Sequence, residues 1–73
     1  MNPNTEERIS WATFIVADTV YWRGRAKYWA EREQEWLTRW NSPEQAAVCR
    51  KARMNALRSL RFNYAELRRS ITL

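Results

Sequence analysis

A chain of 73 residues leaves room for one small domain, and one this short buries only about 60% of its unfolded surface. With no histidine, one cysteine (Cys49), one glycine and two prolines, the composition excludes an internal disulfide, a cysteine–histidine metal cluster and a glycine-rich phosphate loop. The formal net charge of +5 points to anionic partners.

Scarce glycine and proline remove the punctuation of strands, and Ala, Arg, Glu and Leu favour helix. The fold class expected is all-α: a small single-domain bundle of about three helices, with a long basic C-terminal helix. A single cysteine predicts a reduced, cytosolic setting. The longest uncharged run, Ile9 to Ala17, is far below the roughly 20 residues of a membrane span. The opening Met1 to Arg8 carries Glu6 and Glu7 and lacks the layout of a signal peptide.

The first helix is predicted over 5–22. Asn4 can cap it, with Glu7 in the capping-box position and Glu6 at the positive end of the helix dipole. A second helix is predicted over 26–40. The alternative is one helix of more than thirty residues, but an interior glycine costs about 1 kcal/mol against alanine. Such a long helix would also stand largely unsupported, so a break is placed near Arg23-Gly24-Arg25. The strongest local signal is Ser42-Pro43-Glu44-Gln45: an N-cap, a proline in the first helical position and an S-x-x-Q box. It opens a helix over 43–70.

Within 5–40 the aromatic residues form rows. Ile15, Trp22, Trp29 and Trp36 are spaced by seven, as are Phe14, Tyr21 and Tyr28, and both rows fall on one broad side of a helix. The plainer reading is a core stripe. Ten aromatic residues, at about 150–250 Å² per ring, exceed what so small a core can cover. One or two tryptophans should therefore be exposed as binding anchors, the candidates being Trp11, Trp36 and Trp40.

The last helix carries the whole net charge. Residues 43–73 hold seven basic and two acidic side chains, while residues 1–42 balance. Leu57, Leu60, Tyr64, Leu67 and Ile71 form a seam in 3-4 spacing, extended by the small Cys49, Ala52 and Ala56. Arg50, Arg61 and Arg68 make one row beside it; Lys51, Arg58 and Arg69 make a second. Arg53 falls on the seam and must snorkel or pair. A solvated face is the bland reading of these rows. The charge exceeds what solubility needs, so Arg50, Lys51, Arg58, Arg61, Arg68 and Arg69 are the candidate partner-binding cations.

No enzyme chemistry is expected. Cys49 has no histidine to activate it and reads as a small core residue. Glu31, Glu33 and Glu35 cannot share one helix face and read as solvated charges paired with Arg32 or Arg39. No cofactor and no metal is called for.

The opening MNPNTEERISW and the arginine- and tryptophan-rich body through YWRGRAKYWAEREQEW resemble a small transcription regulator of a Xanthomonas phage, over the whole chain. That resemblance implies a protein that contacts the β′ and β subunits of host RNA polymerase. It implies displacement of the σ factor at host promoters and suppression of termination near the RNA exit channel, alongside an elongation factor. The protein would lie close to nascent RNA, in the cytoplasm of the infected bacterium, and be monomeric when free. No individual contact residue carries over. Two further readings stand beside it. One is a basic helical nucleic-acid binder, although no glycine-containing helix-turn-helix is visible. The other is a membrane-surface helix using a free seam in 43–73.

Overall fold

A computed structural model describes the backbone of residues 3–71 and the side chains of residues 5–70. Two helices account for nearly all of it: α1, Pro3–Thr38, and α2, Pro43–Ile71. They lie antiparallel as a hairpin measuring 57 × 14 × 13 Å. The chain is all-helical as expected, but it has two helices rather than about three, and the predicted break between 22 and 26 does not occur.

Gly24 lies inside α1 on its outward side, with nothing within 4 Å of the place a Cβ would occupy. Its penalty is met by packing on either side. Ile15, Thr19, Trp22, Ala26, Trp29, Glu33 and Trp36 are all buried or half-buried, in alternating 4-3 spacing. Such a seam drives an antiparallel helix pair. The 29 residues of α2, about 43 Å of helix, back most of α1, so the long helix is not unsupported after all.

The facing seam of α2 is Ala46, Cys49, Arg53, Ala56, Leu60, Asn63, Leu67 and Ser70, again all buried or half-buried. The α1 seam holds three tryptophans and the α2 seam the small Ala46, Cys49 and Ala56, a division of large and small that suits close packing. The α2 seam is rotated from the predicted one. Leu60 and Leu67 belong to it, Leu57 sits at its edge and Tyr64 is exposed. The side chain of Ile71, and that of the predicted cap Asn4, lie outside the described side chains.

The seven-residue rows separate for the same reason. Neighbouring residues on a helix point about 100° apart. Against a single partner helix only the Ile15–Trp22–Trp29–Trp36 row reaches the seam. Phe14, Tyr21 and Tyr28 face outward.

The turn is built from local bonds. Asn41 takes the left-handed conformation (φ 48°), which asparagine tolerates better than most residues. Ser42 N–H then donates to the Trp36 carbonyl at 2.7 Å, closing the end of α1. Ser42 Oγ accepts a long bond of 3.4 Å from the Gln45 N–H, as the S-x-x-Q box predicts.

Candidate interaction surface

Three polar contacts fix the register of the seam. Glu33, 6% exposed, accepts from Arg50 Nε at 2.8 Å and from Arg53 at 3.0 Å. Asn63, 2% exposed, donates to Asp18 at 2.9 Å. Trp11 Nε1–H donates to Glu66 at 3.2 Å, and Glu66 also pairs with Arg69 at 3.3 Å. Buried Thr19 satisfies its hydroxyl on the Ile15 carbonyl at 2.7 Å. Glu33 is therefore not the solvated charge its neighbours Arg32 and Arg39 suggested; it is the buried acceptor for two arginines of α2. Hydrogen bonding by Arg50, reinforced by Arg53, holds its carboxyl below the ordinary value of 4.5 against the opposing effect of burial. Glu35 does pair with Arg32, at 2.7 Å.

Everything off the seam belongs to one of two flanks. The first carries rings. Trp11 stacks on Phe14 (centroids 5.6 Å apart), Tyr21 meets Trp22 edge-on, and Tyr28 meets Trp29 in the same way. The Arg25 guanidinium lies 5.2 Å from both the Tyr28 and Trp29 rings, and Arg32 lies 5.3 Å from Tyr28. Where α2 joins this flank, Trp11, Phe14, Trp22, Arg58, Phe62 and Asn63 line an open groove of about 310 Å³.

The second flank carries aliphatic residues and cations. Ile9, Val16 and Val20 are more than half exposed along α1, followed by Arg23 and Lys27. From α2 the helical spacing adds Arg50, Met54, Leu57, Arg61, Tyr64 and Arg68.

The candidate residues are spread along the rod. Trp11 (43% exposed) lies toward the open end, while Trp40 (49%) and half-buried Trp36 meet at a tilt beside the turn with centroids 4.8 Å apart. Arg39 lies over the Trp40 ring at 5.6 Å. Arg50 is exposed on the second flank but engaged by Glu33. Lys51 is exposed, Arg58 lines the groove on the ring-bearing flank, and Arg69 is paired with Glu66. Among the described residues Lys51, Arg58 and Arg61 form no ion pair. Sequence reasoning missed Val16, Val20, Phe14 and Phe62 as exposed surface. For Phe14 and Val16 the uncharged run Ile9 to Ala17 was the available signal, because a helix apolar on all sides cannot be covered by one partner.

The α2 seam faces α1, so it is not free to lie on lipid. Among the described residues no helix is long and apolar enough to cross a membrane. No family model, curated protein or solved structure matches this chain.

Proposed function

We propose that this chain is a phage-encoded regulator that docks on bacterial RNA polymerase, at its β′ and β subunits. It blocks initiation by displacing the σ factor and suppresses termination. It acts as a binding protein, without catalysis, in the cytoplasm of the infected cell. The polymerase as partner rests on the resemblance of MNPNTEERISW and YWRGRAKYWAEREQEW.

The docking role rests on one structural observation. Large apolar side chains stand exposed on both flanks of the hairpin, Phe14 at 58%, Val20 at 66% and Phe62 at 59% among them, beside Arg58 and Arg61, which form no ion pair among the described residues. Apolar surface left outside a fold this thin, mixed with arginine and tryptophan, has the composition of a protein interface.

The test is capture of polymerase subunits from bacterial lysate on the immobilised chain, with and without nuclease. Retention after digestion is the expected result; loss on digestion would show that nucleic acid is the true ligand. In a purified transcription reaction the chain should reduce promoter-dependent initiation and increase read-through of a terminator. A nucleic-acid binder would instead show affinity for naked DNA or RNA that falls steeply and linearly with the logarithm of salt.

A further inference from the structure

We infer that the second flank of the hairpin is a groove for an acidic amphipathic helix of a partner protein, which would complete a three-helix bundle. The inference rests on the docking role proposed above and specifies the chemistry of its partner.

The Asp18–Asn63 and Glu33–Arg50 bonds set which parts of the helices lie side by side. In that register residues 16–27 of α1 run alongside residues 54–64 of α2. Heptad spacing places Val16 and Val20 of α1 and Leu57 and Tyr64 of α2 on the same flank. Val16 is 52% exposed, Val20 66% and Tyr64 45%. They form an apolar strip about three turns long, from 1.5 Å of rise per residue. Arg23 and Lys27 stand beside it on α1, and Arg61 on α2.

The charge in this stretch has one sign. Residues 16–27 and 54–64 place Arg23, Lys27 and Arg61 on this flank, and their single carboxylate, Asp18, lies with Arg25 and Arg58 on the other. Asp18 is committed to Asn63 on the other flank. Arg23, Lys27 and Arg61 make no ion pair among the described residues.

Three occupants can be weighed. A second copy would bring another net +5 to a cationic groove, and like charges repel. A nucleic acid would satisfy the cations but leave Val16, Val20 and Leu57 uncovered, and Tyr64 alone is a poor stacking platform. A helix with leucines along one face and glutamates on both borders covers the strip and meets the cations on either side.

The experiment measures fluorescence anisotropy of a labelled synthetic helix with Leu at i, i+3, i+4 and i+7 and Glu on both borders. A scrambled peptide of identical composition is the control. The intact chain should bind the patterned peptide at least about tenfold more tightly than the scrambled one. Val20→Asp and Arg61→Glu, both outward-facing, should each weaken binding at least about tenfold while the far-ultraviolet spectrum stays helical.

Equal binding of the two peptides would overturn the inference, since charge alone would then explain it. So would unchanged affinity in Val20→Asp, or displacement of the peptide by an oligonucleotide or phosphatidylglycerol vesicles at lower concentration. Polymerase is absent from this assay. Peptide failure with polymerase capture intact sinks the groove and leaves the docking role. Peptide binding without polymerase capture supports the groove and removes the polymerase.

Discussion

Glu33 and Arg53 meet at 3.0 Å at seam positions where the spacing of both helices calls for apolar side chains. With Arg50 at 2.8 Å they form a charged layer across the seam. An ionised group at such a position makes slipped registers unfavourable, because a slip would strand it without a partner. Glu33→Gln should destabilise the hairpin by about 1–2 kcal/mol near neutral pH, less than for a fully enclosed pair because Arg50 can turn to water. Denaturant titration followed by circular dichroism measures it.

The same carboxyl sets a pH response. Its folded-state value is depressed, so its contribution is present above the ordinary value of 4.5. It is lost as pH falls through the lower folded value. The parent chain should therefore lose melting temperature below that pH more steeply than Glu33→Gln, and the gap between them should close under acid. Paired thermal melts across the acid range test this; parallel curves would contradict it.

Gly24→Ala should stabilise the protein by about 0.5–1 kcal/mol, the difference in helix propensity. The site is helical, and an added methyl meets open space. In a domain of this size that corresponds to a rise of roughly 4 °C in melting temperature.

Ala56→Leu should do the opposite. Ala56 is 1% exposed where the helices face each other, and added methylenes there must push α1 away. Overpacking of this kind costs about 1–3 kcal/mol. The same substitution at outward Ala47 should change stability by less than about 0.5 kcal/mol, which isolates the steric cause.

Trp40→Ala separates binding from folding. Trp40 is 49% exposed, and among the described ring and cation contacts it meets Trp36 at a tilt and Arg39 over its face. The hairpin should keep its helical spectrum, while the polymerase affinity proposed above should fall about thirtyfold for an anchor worth about 2 kcal/mol. Titration against purified polymerase decides it, and unchanged affinity would remove Trp40 from the interface.

Much of this was legible in the residues. Ser42-Pro43 marked the start of α2, the tryptophan row marked the α1 seam, and Arg53, expected to snorkel or pair, pairs with Glu33. The number of helices was not, because local propensity at Gly24 is worth about 1 kcal/mol and the seam on both sides of it is worth more. The role of Glu33 was hidden too. Its partners lie 17 and 20 residues away, beyond the helical neighbours that spacing arguments consider. Asn63 was overlooked because Tyr64, one residue on, looked the better seam residue; Asp18, 45 residues away, made the polar one fit. The exposed candidates Trp11 and Trp40 followed from counting rings against area, whereas the outward Phe14 row required knowing that only one helix covers α1.

The antiparallel arrangement also grades the molecule along its axis. Glu33 and Arg50 close a loop of 17 residues, while Trp11 and Glu66 are separated by 55. Joining distant parts of a chain carries the larger entropic penalty, so contacts near the turn should form before those around Trp11 and Glu66. Amide protons around Trp36 and Ala46 should thus exchange slowly and those around Ile9 and Leu67 quickly. A partner that engages α1 around Trp11 would therefore meet the contacts that open most readily, with those at the turn still closed.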